Sequence, residues 1–213
     1  MVRCIGELYV DNKNITLEES MKVGINLLVL KQYSGIACFA ENILEQLFEL
    51  EAVFYVYYTD ELPFAFHDVK SNVILCKVNT SFSKVLYQQL SFPFRVLRDE
   101  LDVLVCFTPI HPIILAKKNM VFMYDCAYHN FPENASGFFR LCLIKIMYWC
   151  GIRFSQKVIS VSNSAAREIE SRYSLAPSSV DVVYGALPNL PMVQFDFIAD
   201  TLEKYNLTVQ IIR

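Results

Sequence analysis

The chain of 213 residues has few charged side chains and no long basic run. Lys, Arg, Asp and Glu make up 19% of it, a smaller share than in an average soluble domain, and the formal net charge is -3. Because a nucleic-acid surface needs clustered Lys and Arg, we do not expect nucleic acid as a partner. The first twenty residues are mixed and acidic rather than basic and then apolar, so no secretory signal is expected there.

Several motifs that mark cofactor or catalytic sites are also absent from the sequence. There is no G-x-G-x-x-G, so a dinucleotide cofactor is not supported, and there is no Walker loop, serine nucleophile elbow or zinc signature. The seven cysteines form no C-x-x-C, are odd in number and have apolar neighbours. We therefore expect buried, reduced thiols in a cytoplasmic protein, with neither a metal site nor a resident cofactor.

Apolar residues are abundant and alternate between strand and helix patterns. Hydrophobic residues make up 54% of the chain, enough for a sizeable core, and several runs are apolar throughout, as in strands buried on both faces. This alternation predicts an α/β fold, a Rossmann-like parallel sheet with helices on both faces. The predicted strands are 21–30, 52–58, 72–78, 101–107, 119–125, 156–162 and 179–185, and the predicted helices are 35–50, 81–100 with a restart at Pro93, 137–154 and 163–174.

Polar residues follow several predicted strands, and in open parallel sheets ligands sit beyond the carboxyl ends of the strands. Ser34 can cap the first helix, and the N–H groups around Gly35 and Ile36 would attract a phosphate or carboxylate. An ordinary turn explains the same residues equally well. Ser162 and Asn163 occupy the corresponding place before the helix at 163–174, where capping alone would account for them.

The loop after the fifth predicted strand carries the most candidate chemistry. Asp125 could orient a sugar hydroxyl or accept its proton, or it could simply cap a turn. His129 lies four residues further on, and His111 lies between two prolines in a loop that we place near the same rim. Neither histidine has neighbours at metal-ligand spacing, so no metal is expected.

The segment 137–154 is apolar for 18 positions but contains Arg140, Lys145 and Arg153. Each such charge costs about 2.5–3.5 kcal/mol at a bilayer centre, which argues against a spanning helix. Two interpretations remain open. The helix packs on the sheet, or it lies at a membrane surface with its basic residues toward the headgroups.

The order of four segments resembles a known family. "MKVGINLLVLKQYSGIACFAENILEQL", "LDVLVCFTPI", "VFMYDCAYHNFPEN" and "KVISVSNSAAREIESRYSLAPSSVDVVYGA" together are similar to the N-terminal domain of family 4 glycosyltransferases, which have the GT-B fold. The similarity runs from about Met21 to about Gly185. The resemblance implies one half of a GT-B enzyme, a retaining transferase that moves sugar from a nucleotide-sugar to a glycan or lipid-linked acceptor.

Roles for individual residues follow from the resemblance alone. Ser34, Gly35 and Ile36 would face the donor phosphates, and Asp125 would be the catalytic residue that orients the acceptor. The acceptor-binding residues would be Asn26, Tyr124, Tyr128, His129, Ser162 and Asn163. Two positions depart from the family pattern, because Tyr124 stands where histidine is usual and Asn26 where many members have aspartate. The departure at Tyr124 argues against histidine chemistry at this site.

The resemblance also implies a domain organisation. Residues 1–20 would be an extension, 21–185 the acceptor-side domain, and 186–213 a linker with the truncated start of a donor-binding domain. The sequence leaves open whether the isolated chain is an active enzyme. Two alternatives are a non-catalytic subunit that pairs with a separate donor-binding chain, and a nucleotide-binding α/β domain of another class. We expect a cytoplasmic protein, with 137–154 as a candidate peripheral membrane contact.

Overall fold

The structure is a computed structural model that describes residues 20–31, 34–59, 62, 70–79, 83–134 and 137–185. It contains a parallel sheet of seven strands in the order β3-β2-β1-β4-β5-β6-β7. The strands are β1 (Met21–Asn26), β2 (Ala52–Tyr58), β3 (Val73–Lys77), β4 (Val103–Cys106), β5 (Asn119–Met123), β6 (Lys157–Ser160) and β7 (Val180–Val182). The predicted extension, apart from Ser20, and the predicted segment 186–213 lie outside the described residues.

Six α-helices and two short 3-10 helices connect the described strands. The α-helices are α1 (Gly35–Leu47), α2 (Lys84–Leu90), α3 (Phe92–Arg98), α4 (Ala127–Asn130), α5 (Phe138–Phe154) and α6 (Asn163–Arg172). The 3-10 helices are η1 (Ile113–Lys118) and η2 (Pro132–Asn134). The prediction of a Rossmann-like parallel sheet with helices on both faces is therefore confirmed.

The two faces of the sheet are covered by different helices. Successive side chains of a strand point to opposite faces, and β5 illustrates the division. Phe122 belongs to the apolar cluster that includes residues of α1. Val121 belongs to the cluster under α3, and Met123 belongs to the cluster shared by α5 and α6. Helices α3, α5 and α6 thus lie on one face and α1 on the other.

The strand order reverses between β1 and β4. The chain builds β1, β2 and β3 outward in one direction, and then returns to place β4 on the other side of β1. Such a switch point leaves a crevice between the loops that follow the two strands, and this crevice is where ligands usually bind in open α/β sheets. The loop from β1 to α1 and the loop after β4 border it here.

The first strand is shorter than its apolar run predicts. The pattern predicts a strand over 21–30, but β1 ends at Asn26. The Oδ1 atom of Asn26 accepts a hydrogen bond from the N–H of Leu28 at 3.2 Å, and this side-chain turn ends the strand. The next two residues, Leu27 and Leu28, are still buried, because they pack as a loop on the core, whereas Val29 and Leu30 are half-buried. The apolar run at 21–30 therefore indicates burial, but it does not indicate where the strand ends.

Helix α5 packs on the sheet through only one of its two apolar sides. Its buried side carries Ile144, Met147 and Ile152. Its other side is also apolar and is exposed, with Phe139 at 89% and Ile146 at 59% of their full accessible surface. In the part of the chain that the structure describes, no helix has the length and apolar character needed to cross a bilayer.

Candidate functional site

The loops at the carboxyl edge of the sheet form the candidate site. Strands β1 and β5 are separated by β4 alone, so their carboxyl ends lie roughly 10 Å apart at the usual strand spacing. The capped start of α1 and the loop containing Asp125 therefore border the same crevice. This proximity joins segments that are about ninety residues apart in the sequence.

The start of α1 lies at this edge of the sheet, and the N–H groups of its first turn have no partners within the helix. The hydroxyl of Ser34 accepts a hydrogen bond from the N–H of Ala37 at 3.1 Å and donates one to the carbonyl of Lys31 at 2.8 Å. Gly35 is the first residue of the helix, and a Cβ placed on it would meet no atom within 4 Å. Ile36 instead packs against the core. The side-chain position of Gly35 is therefore open.

Asp125 is exposed and also acts as a turn residue. Its Oδ1 atom accepts a hydrogen bond from the N–H of Ala127, the first residue of α4, at 2.9 Å. The capping interpretation of Asp125 is thus realised in the structure. The carboxylate can still accept further hydrogen bonds, because it has about four acceptor positions and faces solvent.

Tyr124 contributes a hydroxyl with no partner to the α1 side of the site. Its ring meets the ring of Phe39 edge to face, with centroids 5.5 Å apart. Its buried Oη atom has no hydrogen-bond partner, and burial raises the pKa of this phenol well above its usual value. Tyr124 therefore stays neutral at physiological pH and can donate one hydrogen bond to a ligand that reaches it.

Tyr128 and His129 lie on the other side of the sheet. The ring of Tyr128 packs edge to face on Tyr148 of α5, and that of His129 packs in the same way on Tyr173, just after α6. Burial, together with the charges of nearby cations, lowers the pKa of His129. The structure thus separates these two predicted acceptor residues from Tyr124, although all three follow β5.

Ser162 and Asn163 begin α6 beside the end of β7. The hydroxyl of Ser162 accepts a hydrogen bond from the N–H of Ala165 at 3.1 Å, which is the capping role considered above. The Nδ2 atom of Asn163 donates to the Oη atom of Tyr184 at 2.8 Å. Sequence reasoning did not single out Tyr184, because it lies inside the predicted strand 179–185, whereas β7 ends at Val182.

Asn26 lies beneath the crevice in a buried polar group. It is 5% exposed, accepts a hydrogen bond from the Nε2 atom of Gln88 at 3.2 Å, and lies with its Nδ2 atom 3.6 Å from the Sγ atom of Cys106. Burial raises the pKa of Cys106 to about 12, so this thiol stays protonated. These contacts tie the ends of β1 and β4 to α2, which gives Asn26 a structural role alongside any contact with a ligand.

His111 does not lie on the carboxyl rim, where the sequence placed it. Its ring contacts Asn119, the first residue of β5, which is at the amino edge of the sheet. The loop after β4 crosses the face of the sheet to reach η1, and it carries His111 with it. His111 is 1% exposed, and burial lowers its pKa.

Six cysteines fall among the described residues, and all of them are free thiols. Within the same described residues, no three His, Cys, Asp or Glu side chains are grouped so that they could hold a metal ion. The chain matches no protein-family model and no curated protein.

Proposed function

We propose that this chain supplies the acceptor-side domain of a retaining family 4 glycosyltransferase with the GT-B fold. In this proposal, sugar passes from a nucleotide-sugar to a glycan or lipid-linked acceptor, and the nucleotide is held chiefly by a second domain across the crevice. The order and spacing of the sequence motifs support the family. The crevice at the switch point, with its capped helix start and exposed carboxylate, supports a binding role at this edge.

The observation that carries the proposal is the open helix start at Gly35. The N–H groups of the first helical turn have no partners within the helix and carry partial positive charge, which attracts a phosphate. The Ser34 hydroxyl accepts a hydrogen bond from one of these groups, the N–H of Ala37, and this bond holds the first turn of the helix in place. No atom lies within 4 Å of the position that a Cβ on Gly35 would take. A diphosphate held by a facing domain can therefore approach the backbone.

Asp125 would orient the acceptor. Its capping bond to Ala127 holds the carboxylate in one position at the end of β5. The remaining oxygen positions can accept a hydrogen bond from a sugar hydroxyl and increase its nucleophilic character. Tyr124 would act as a neutral donor on the α1 side of the crevice, and Tyr128 and His129 would contribute only if the acceptor extends past α4.

A titration followed by NMR tests the carrying observation. UDP-glucose, GDP-mannose and NAD are added separately while the amide resonances of Gly35 and Ile36 are monitored. We expect weak, saturable shifts with nucleotide-sugars and none with NAD. In Gly35→Val the added side chain would occupy the open space and abolish the shifts, whereas Cys38→Ser, an exposed change one turn further along α1, would preserve them.

Two results would contradict the proposal in different ways. Binding of NAD without binding of any nucleotide-sugar would assign the chain to another class of nucleotide-binding domain. Sugar transfer by the isolated chain at rates typical of complete enzymes would show that no facing domain is needed. Asp125→Asn separates the two roles of that residue, because asparagine can keep the hydrogen bond to Ala127 but lacks the charge.

A further inference from the structure

Exposed apolar side chains are concentrated on one face of the sheet. Among the described residues, seventeen large hydrophobic side chains are exposed, and eleven of them lie on α2, α3, η1 and α5. Contacts with the sheet place these four elements on the same side, opposite α1. We call the outward side of these four elements the basic apolar surface. Exposed apolar side chains that are grouped on one side of a protein favour a binding surface there.

The charge of the basic apolar surface differs from that of the whole chain. Among the side chains that the structure describes, its four elements contain seven Lys and Arg residues, one in α2, two in α3, one in η1 and three in α5, and no Asp or Glu. The two arginines of α3 pair with Asp99, directly after that helix. The whole chain has a formal net charge of -3. The three cations of α5 thus lie on the element with the most exposed apolar side chains.

Helix α5 forms the most apolar part of this surface. Its outward positions recur at helical spacing as Phe139, Leu143, Ile146 and Trp149, all at least 49% exposed. Lys145 stands on one flank of this stripe and Arg153 at its end. Exposed apolar side chains with cations beside them can contact acyl chains and anionic headgroups together.

A small groove opens beside the stripe. It has a volume of about 290 Å³ and is lined by His129, Lys145, Ile146, Trp149, Arg172 and Tyr173. Asn130 holds Arg172 in place by accepting a hydrogen bond from its Nη2 atom at 2.8 Å, and the same amide donates to Glu168. The groove therefore combines one held cation, Arg172, and a second cation, Lys145, with apolar and aromatic walls.

We propose that the basic apolar surface docks on an anionic phospholipid membrane, with a lipid phosphate in the groove between Lys145 and Arg172. Phe139, Ile146 and Trp149 would enter the boundary between headgroups and acyl chains. The inference rests on exposure and charge alone, so it holds whether or not the chain takes part in sugar transfer.

A membrane fits this surface better than a protein partner does. The exposed apolar residues are spread over four elements and are interspersed with cations, whereas the centre of a protein interface is depleted of charge. A second copy of the chain would bring the same positive surface and would be repelled. An anionic bilayer offers both an apolar interior and the opposite charge.

The only tryptophan of the chain provides the measurement, because Trp149 lies on the proposed contact. Full-length protein is mixed with phosphatidylcholine vesicles that either contain or lack phosphatidylglycerol. With the anionic vesicles we expect co-sedimentation, a blue shift of Trp149 emission, and quenching by lipids brominated on their acyl chains. With pure phosphatidylcholine the binding should be at least tenfold weaker.

Matched variants locate the contact. Ile146→Glu should weaken vesicle binding at least tenfold, whereas Leu50→Glu, at a similarly exposed position beyond α1, should leave it unchanged. Lys145→Gln should weaken binding about fivefold, the effect of one cation near an anionic surface. Its control, Lys77→Gln, removes a cation from β3 on the opposite side of the sheet.

Three outcomes would overturn the inference. Wild-type protein that leaves anionic vesicles unbound, with unchanged Trp149 emission, would exclude the membrane. Equal losses from Ile146→Glu and Leu50→Glu would show that binding occurs elsewhere. Concentration-dependent dimerisation that buries Trp149 without lipid would assign the surface to a protein interface.

Discussion

Helices α1 and α5 cover opposite faces of the same sheet but differ in what they present to solvent. Helix α1 buries Ala37, Ala40 and Leu44 and exposes polar residues such as Glu45, as expected for a helix with a single apolar partner. Helix α5 is apolar on both sides and contains no acidic residue. The apolar side of α1 packs entirely within the fold, whereas α5 keeps an exposed apolar side that another partner can cover.

Removing one large side chain from each helix tests this difference most directly. Leu44 is completely buried under α1, so Leu44→Ala should lower the free energy of unfolding by about 2–5 kcal/mol. Ile146 on the outer side of α5 is 59% exposed, so Ile146→Ala should change it by less than about 0.5 kcal/mol. Urea unfolding without lipid measures both. Comparable losses would mean that the outer side of α5 is already packed in solution.

Glycine substitutions test the same difference near one end of each helix. A Cβ on Gly151 of α5 would lie 2.5 Å from the carbonyl oxygen of Pro109, a backbone atom that cannot easily move. Gly151→Ala should therefore destabilise the protein by about 1–3 kcal/mol. Gly35→Ala in α1 meets no atom within 4 Å and should stabilise it by about 0.4–1 kcal/mol, since alanine restricts the unfolded chain.

Thermal unfolding of the two alanine variants against wild type checks this pair. Gly151→Ser serves as a second variant, because it adds the same Cβ and should be destabilised at least as much. A Gly151→Ala protein as stable as wild type would show that the contact between α5 and the loop after β4 is loose. The stability of α5 would then depend on its apolar contacts alone.

Much of the fold follows from local patterns in the sequence. The run over 52–58 coincides with β2, and the apolar segment at 137–154 coincides with α5 to within one residue. Both predictions succeed because a strand buried on two faces and a helix with a long apolar run have clear patterns of apolar residues in the sequence. The short helix α4 was not predicted, since four residues are too few to establish a period.

The arrangement of the site was less accessible, because it depends on contacts between distant residues. Asn26 is held by Gln88, and neither residue indicates the other in the sequence. Tyr124 and His129 follow the same strand, yet they face opposite sides of the sheet. Residues in loops follow no repeating pattern from which the direction of their side chains could be inferred. The sequence therefore predicts which loops form the rim, but not how their side chains are arranged.

The polar contact beneath α5 leads to a smaller, pH-dependent difference between the two helices. The Nδ2 atom of Asn119 donates to the carbonyl of Pro112 at 3.0 Å and also lies 2.6 Å from the Nδ1 atom of His111. Burial lowers the pKa of His111 and so favours its neutral form, in which Nδ1 can accept a hydrogen bond from this amide. Protonation would set two donors against each other next to Gly151 of α5, whereas the buried side of α1 contains no such group.

Acid should therefore loosen α5 before α1. The pKa of His111 is lowered in the folded state, so the unfolded chain binds more protons below its ordinary pKa of about 6.5. Stability is complete above that pH and falls by up to about 1.4 kcal/mol per pH unit as the pH drops toward the folded pKa. Hydrogen exchange, corrected for its intrinsic pH dependence, should show protection of α5 amides decreasing between pH 7 and 5.5 while that of α1 is retained. His111→Gln should reduce this response more than His129→Gln does, because His129 also has a lowered pKa beside α5 but is less buried. An equal loss in both helices would instead indicate global acid unfolding.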